Sequence, residues 1–170
     1  MNAAERTSLV EELHRRYAGV LYDKCVRVLG DRAEAEDAVQ EAFISVFRAL
    51  DRFEDTGRGH LPWLYTIATN VCIKLIRTRR RKGAEPLGER EPPAAAADPV
   101  EALHTRALLD RLAGQLDDRS LAILVAHYVD GIDQGQIAEQ YGISRRAVVK
   151  RLTALRARAG ELVKGSEPHA

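Results

Sequence analysis

Two segments of the 170-residue chain concentrate side chains that bind anions. Six of the nine residues from Lys74 to Lys82 are basic, and six more basic residues with no acid among them lie between Glu139 and Glu161. Guanidinium and ammonium groups pair with phosphates, and an arginine can also donate two hydrogen bonds to a guanine edge. The net charge of only +1 conceals this pattern, since five acids cluster from Asp31 to Glu41. This separation of basic from acidic segments predicts a nucleic-acid partner for the basic segments and a different partner for the acidic segment.

Residue types used in catalysis and metal binding are not grouped along the sequence. The five histidines are scattered, Cys25 and Cys72 have no CxxC or HxxxC spacing, and there is no glycine-rich phosphate loop. We therefore predict no catalytic site, no metal site and no cofactor, which argues against an enzyme acting on nucleic acid. Both cysteines are expected to be reduced and buried between helices, with a redox-sensing role as the alternative.

The basic segment near the C-terminus has the pattern of a helix-turn-helix. Asp133 and Ser144 can cap two helices, Gly142 can adopt the left-handed turn between them, and Ala138 is small enough for the helices to cross closely. A major-groove reader presents basic side chains near the start of its second helix. A compact three-helix core with a solvated basic face is the alternative. The residues predicted to face DNA are Ser144, Arg145, Arg146, Val149, Lys150 and Arg151.

Helical periodicity before residue 83 predicts three helices. The first spans residues 7–29 and can end at Gly30, Asp31 can cap the second, and Pro62 suits the first turn of the third. We expect a core that includes Val20, Phe47 and Trp63, with Thr69 among the residues that face elsewhere.

The second of these helices carries a largely polar stripe opposite its predicted core face. Ile44 is an apolar residue within this stripe, which indicates a surface that a partner protein covers. A solvated helix face is the alternative. The stripe consists of Asp37, Gln40, Glu41, Ile44 and Arg48.

Proline and glycine divide the chain into two parts. Residues 83–100 read GAEPLGEREPPAAAADPV, which offers too little apolar surface to fold. The predicted fold is all-α, with two small helical domains (1–82 and 101–165) joined by this flexible linker, the second being a helix-turn-helix domain. The polar N-terminus and short apolar runs predict a cytoplasmic protein with no signal peptide and no membrane insertion.

The sequence resembles the extracytoplasmic-function (ECF) sigma factors of bacterial RNA polymerase. The matching stretches are AEDAVQEAFISVFRALDRF and WLYTIATNVCIKLIRTRRR in the first part, and LDDRSLAILVAHYVDGIDQGQIAEQYGISRRAVVKRLTALRARAGEL in the second. The resemblance implies a transcription initiation factor that binds core RNA polymerase and promoter DNA and is regulated by an anti-sigma factor.

The resemblance also implies roles for individual residues. The stripe around Asp37 would dock on core polymerase, and Asn70 would contact an exposed base of the minus-ten element. An ordinary surface asparagine is the alternative for Asn70, and a solvated helix end is the alternative for the basic run that follows it. The second domain would read the minus-thirty-five element. The residues expected to bind the minus-ten element are Asn70, Lys74, Arg77, Arg79, Arg80 and Arg81.

Two stretches depart from the family pattern. His60 and Leu61 stand before the tryptophan helix, where many members carry an aromatic residue, and the start of the recognition helix, SRRAVVKRL, is unusually basic. The second hypothesis for function is an independent helix-turn-helix repressor or activator. It leaves the acidic stripe and the linker unexplained, and such repressors usually dimerise, whereas this sequence has no sustained heptad seam.

Overall fold

The computed structural model describes residues 1–83 and 99–164, with side-chain surroundings for residues 1–83 and 105–161. Within these ranges the regular structure is helical, which confirms the predicted all-α class. The predicted linker lies almost entirely outside the described residues. The helices are α1 (Ala3–Leu29), α2 (Arg32–Ala49), α3 (Leu61–Arg81), α4 (Pro99–Ala113), α5 (Asp118–Leu124), α6 (Gln134–Tyr141) and α7 (Arg145–Lys164).

Local sequence signals set the ends of the first three helices. Asn2 and Glu5 form a capping box that starts α1, four residues earlier than the periodicity predicts. Gly30 ends α1 in the left-handed conformation with φ 66°, and its amide donates to the Val26 carbonyl. The Asp31 carboxylate then accepts from the Glu34 amide to start α2, as predicted. Pro62 lies in the first turn of α3, where no helical amide partner is lost.

Helices α1, α2 and α3 pack on one another around buried apolar side chains. Three expectations about this core are wrong. Val20 and Phe47 are among the exposed large hydrophobic side chains, at 42% and 38%. Thr69 is buried, and its hydroxyl donates to the Tyr65 carbonyl one turn back. Helical periodicity identifies a face but not which part of it a neighbouring helix covers.

Helices α4 to α7 form the second part of the chain. A π-helical turn, Val125–Val129, extends α5 and ends at Asp130, just before Gly131 with φ 70°. Leu121, Ile137, Val148 and Leu152 bring buried side chains from α5, α6 and α7 together. The two parts also contact each other, since α3 packs against α4 and α5, and α1 packs against α4.

No helix among the described residues is both long and apolar enough to span a bilayer. The two cysteines are free thiols with fully buried side chains, Cys25 in α1 and Cys72 in α3. This confirms the prediction that both cysteines are buried between helices.

Candidate nucleic-acid interface

Helices α6 and α7 form a helix-turn-helix whose local signals match those predicted. The Asp133 carboxylate accepts from the amides of Gly135 and Gln136 to start α6. Gly142 turns the chain with φ 62°, and the Ser144 hydroxyl accepts from the Ala147 amide at 3.1 Å to start α7. Each cap satisfies an amide that has no partner within its helix. The turn therefore fixes the direction in which α7 leaves the domain.

The first turns of α7 present a basic, solvent-exposed face. Arg145, Arg146 and Lys150 are exposed, and Val149 between them is 40% exposed. The opposite face holds Val148, Leu152 and Leu155 in the core. Because one face is anchored and the other carries three cations, this helix can enter a DNA groove without unfolding.

Arg151 was predicted to face DNA together with other residues of α7, but its side chain bonds within the chain. Its guanidinium donates to the Ser120 hydroxyl at 3.0 Å, at the start of α5. The Ser120 hydroxyl in turn donates to the Asp117 carboxylate. Arg151 therefore joins α7 to its own domain, and the exposed part of the predicted site comprises Ser144, Arg145, Arg146, Val149 and Lys150.

The polar face of α3 has an exposed part and a part whose side chains bond to other helices of the chain. Asn70 and Lys74, one turn apart, are both exposed. Three arginines after them, which were expected to grip DNA, instead bond within the chain. Arg77 donates to the carbonyls of Ala113 and Leu116 and pairs with Asp118, with Nε to Oδ1 at 2.6 Å.

The other two arginines also reach α4. Arg79 lies between Glu34 and Asp110, forming an ion pair with each, and its side chain is only 10% exposed. Arg80 donates to the Asp110 carbonyl. Arg80 and Arg81 are both exposed, and Arg81 donates to the Thr78 hydroxyl within α3.

The acidic stripe lies on an open face of α2. Asp37, Gln40 and Arg48 are exposed, Glu41 is half-buried, and Ile44 is 45% exposed. These residues recur at three- and four-residue intervals, so they share one side of the helix. The structure brings the predicted set together as one surface.

Aromatic side chains line the loop before α3. The Phe53 ring stacks on His60 with centroids 4.4 Å apart and tilts against the half-buried Trp63 at 4.9 Å. A cavity of about 980 Å³ separates this loop from α6 and is also lined by Arg58 and Gln140. His60 thus takes part in the aromatic cluster at the position where the sequence departs from the family.

Sequence reasoning missed the polar residues that join the two parts of the chain. Lys24 in α1 pairs with Asp130, and the two side chains are 0% and 1% exposed. The Gln140 amide donates to the Thr66 hydroxyl at 2.6 Å. One signal was available: Lys24 shares its helical face with Leu21 and Val28, so the spacing placed a cation on an apolar face.

Burial raises the pKa of the Asp130 carboxyl, and the Lys24 ammonium opposes part of that rise. The Lys24 ammonium also lies 4.9 Å from the centre of the Tyr65 ring, a cation–π contact. No group of three histidine, cysteine, aspartate or glutamate side chains is placed to hold a metal ion in the part of the chain that the structure describes.

Comparison with known proteins identifies the family. The family model for sigma-70 region 2 matches residues 13–82. The ECF RNA polymerase sigma factor SigL of Mycobacterium tuberculosis is 31% identical over 152 residues, covering 88% of this chain and 86% of SigL. The RNA polymerase sigma factor CnrH of Cupriavidus metallidurans is 32% identical over 157 residues, covering 85% and 82%.

Solved structures agree with these relatives. The structure of CnrH in complex with the cytosolic domain of CnrY has a TM-score of 0.60 and 26% identity, covering 97% of this chain and 96% of that one. The sigma factor RpoE of Bartonella quintana, solved with the anti-sigma factor NepR, shares the fold with a TM-score of 0.55 and 19% identity, covering 92% and 98%. This chain therefore belongs to the ECF RNA polymerase sigma factors, which direct transcription initiation with the polymerase.

Proposed function

We propose that this sigma factor uses three separate surfaces: the α2 stripe for core RNA polymerase, the α3 polar face for the minus-ten element and the start of α7 for the minus-thirty-five element. The observation that carries the proposal is the exposed basic face of α7, anchored by Val148 and Leu152 and oriented by the Gly142 turn. Membership of the ECF sigma factors indicates that the partner enzyme is RNA polymerase and that the DNA is promoter DNA.

At the upstream element, Arg146 is the residue we assign to base contact. An exposed arginine in the first turn of a recognition helix can donate two hydrogen bonds to a guanine edge. Arg145 and Lys150 flank it on the same exposed surface and would neutralise phosphates. Val149 would contact a base or sugar through its exposed methyl groups.

At the minus-ten element, we assign Asn70 to an unpaired base and Lys74 to the backbone. An amide can hydrogen-bond a base edge once the strands have separated. Both side chains are exposed on α3 and lie one turn apart. Arg77, Arg79, Arg80 and Arg81 would extend the backbone contact when their present partners release them.

On the polymerase side, the α2 stripe combines carboxylates with an exposed isoleucine. Buried apolar area drives association, and the surrounding charges select the partner and its orientation. We propose Asp37, Gln40, Glu41, Ile44 and Arg48 as this contact. The chain itself would carry out no chemistry and need no cofactor, and it would act with polymerase in the cytoplasm.

We also propose an anti-sigma factor as a second protein partner. CnrH was solved with the cytosolic domain of CnrY, and RpoE with the anti-sigma factor NepR. A protein of this kind would compete with polymerase or DNA for the surfaces described above.

A gel-shift experiment with and without core polymerase tests the proposed mode of action. We expect a promoter fragment to be shifted by the chain together with core enzyme, and only weakly by the chain alone. Tight, specific binding of duplex DNA by the chain alone would favour the independent regulator. Asn70→Ala provides a second test, since permanganate reactivity of the minus-ten thymines should fall while complex formation persists.

A further inference from the structure

The two cysteine side chains lie against each other in the core between α1 and α3. Cys25 in α1 and Cys72 in α3 are both free thiols with no exposed surface. The Cys72 thiol donates a hydrogen bond to the Cys25 sulfur, so the two sulfur atoms are in contact. The chain has no other cysteine. Any disulfide within one molecule must therefore join these two residues.

The surroundings of the pair favour a thiolate at one of the two sulfurs. The hydrogen bond from Cys72 lowers the pKa of the Cys25 thiol most, and the nearby Lys24 ammonium also lowers it. Burial and the Asp130 carboxylate oppose this lowering without reversing it. The same hydrogen bond and burial raise the pKa of Cys72, which therefore keeps its proton. Because the thiolate is the nucleophile, Cys25 is the thiol that reacts first with an oxidant.

Cys72 lies on the buried side of the helix that carries the candidate minus-ten residues. Asn70 and Lys74, on either side of it in the sequence, are exposed. Side chains two residues apart on a helix do not share a face. In a disulfide, the two sulfurs would approach from hydrogen-bond contact to bonding distance, which draws the α3 backbone at Cys72 toward α1. Asn70 and Lys74 belong to the same stretch of helix, so this shift would displace them as well.

We propose that Cys25 and Cys72 form a redox-active dithiol: hydrogen peroxide oxidises the pair to a disulfide between α1 and α3, and this cross-link reversibly lowers transcription initiation. The effect on initiation rests on the role proposed above for Asn70 and Lys74 at the minus-ten element. The formation of the disulfide does not depend on that role. A thiol reductant restores both thiols by exchange.

The oxidation takes place in two steps. The Cys25 thiolate attacks one oxygen of hydrogen peroxide, the O–O bond breaks, and the leaving hydroxide takes up the proton that Cys25 had released, giving water. The Cys72 sulfur then attacks the sulfur of the resulting sulfenic acid, the S–O bond breaks, and hydroxide leaves with the Cys72 proton as a second water. The two thiols lose two electrons, and one peroxide molecule gains them. Because both sulfurs are buried, peroxide reaches them through local opening of the core, which makes the first step slower than at an exposed thiol.

Thiol counting on the full wild-type chain tests the disulfide. The chain is treated with hydrogen peroxide, freed of the oxidant, denatured and alkylated, with and without prior reduction by dithiothreitol. We expect both thiols of the monomer to be lost on oxidation and regained on reduction, and peptide mapping to find Cys25 joined to Cys72. Two remaining thiols, the loss of only one, a disulfide-linked dimer, or thiols that reduction does not restore would each overturn the proposed pair.

Transcription with the oxidised chain tests the effect on initiation. Peroxide is removed before core polymerase is added, so that the polymerase itself is not oxidised. We expect oxidised wild type to initiate about three- to ten-fold less than reduced wild type, which corresponds to the impairment of one hydrogen bond. Permanganate reactivity at the minus-ten element should fall in parallel. Co-purification with core polymerase should persist, because the α2 stripe lies on a helix that the disulfide does not join.

Cys25→Ala and Cys72→Ala are the matched control variants, since each keeps one thiol and neither can form the internal disulfide. Peroxide treatment should leave initiation by both variants unchanged. An equal loss in wild type and variants, or full initiation by wild type in which the disulfide has been demonstrated, would overturn the effect on initiation.

The wild-type chain also provides a test that needs no substitution. If circular dichroism shows that a variant is unfolded, initiation is compared between reduced, oxidised and re-reduced wild type. Initiation that does not return on reduction would contradict reversible control by the disulfide. A reduced wild-type chain that directs no initiation would count against the proposed function instead, and thiol counting would still test the disulfide.

Discussion

At the scale of single residues, the function depends on which cations are exposed and which are already paired. Arg146 is exposed, whereas Arg151, five residues later on the same helix, donates to Ser120. Both are arginines in one basic run, so composition could not distinguish them. The difference arises from the helical direction of each side chain and from the position of α5, which lies more than 20 residues away in sequence.

Arg146→Ala should cost about 1–3 kcal/mol of binding at a single cognate base pair if the guanidinium contacts a guanine edge. Competition binding of the polymerase complex against promoters with every base at each upstream position measures this loss. Arg16→Ala, an exposed arginine of α1, is the matched control and should change nothing. An equal loss on all sequences would assign Arg146 to phosphate contact instead.

Lys24→Met should lower the free energy of unfolding by about 3–5 kcal/mol, since it leaves the Asp130 carboxylate buried without its cation. Urea unfolding followed by circular dichroism measures the change. The double variant Lys24→Met/Asp130→Leu removes both charges and should recover most of the loss. A double variant as unstable as the sum of the single variants would show that the pair is not coupled.

At the scale of elements, the helix ends were predictable because their signals are local. Gly30, Asp31, Asp133 and Gly142 each act on amides or carbonyls within a few residues, and each occupies the expected position. The burial of a residue, in contrast, depends on helices that are distant in the sequence. This explains the errors at Val20, Phe47 and Thr69 in the prediction of the core.

The cap of α5 gives a pH-dependent prediction. The backbone amide and the hydroxyl of Ser120 donate to Asp117, and these bonds lower the pKa of its carboxyl. A lowered folded-state pKa contributes stability above the ordinary carboxyl pKa, and this stability is lost as pH falls through the folded value. Asp117→Ala should therefore cost about 1 kcal/mol at neutral pH and progressively less in acid.

Thermal unfolding across this acidic range checks the prediction. Asp117→Asn keeps an oxygen acceptor that does not titrate, so it should retain part of the cap at every pH. A cost for Asp117→Ala that stays constant down to strongly acidic pH would show that the charge of Asp117 does not contribute.

The α2 stripe gives a prediction about polymerase. The triple variant Asp37→Ala/Gln40→Ala/Glu41→Ala should weaken co-purification with core enzyme, since it removes the polar rim around Ile44. Its thermal unfolding should stay close to that of wild type because Asp37 and Gln40 are exposed and Glu41 is only half-buried. The matched control is Ser8→Ala/Glu11→Ala/Glu12→Ala on α1, which removes one neutral and two acidic exposed side chains. Equal recovery of polymerase with both variants would refute the stripe as the docking surface.

At the scale of the whole molecule, contacts between distant segments determine which surfaces are available. The sequence predicted the basic end of α3 but not its partners, because Asp110 and Asp118 lie 30 or more residues away, beyond the predicted linker. The helix-turn-helix and the α2 stripe could be predicted because each is contained in one continuous segment. Asn70 and Lys74 are exposed, as the α2 stripe is, whereas Arg77, Arg79 and Arg80 have partners on the distant α4 and α5.

Run-off transcription with purified core polymerase on genomic DNA, with the start sites mapped, tests the account most directly. We expect discrete start sites that share an upstream and a downstream element. Arg146→Ala should relax the upstream element only, and Asn70→Ala should reduce initiation at every site without changing the upstream preference. Start sites that share no upstream element, or an Arg146→Ala variant that selects the same upstream bases as wild type, would contradict the assignment of α7 to promoter reading.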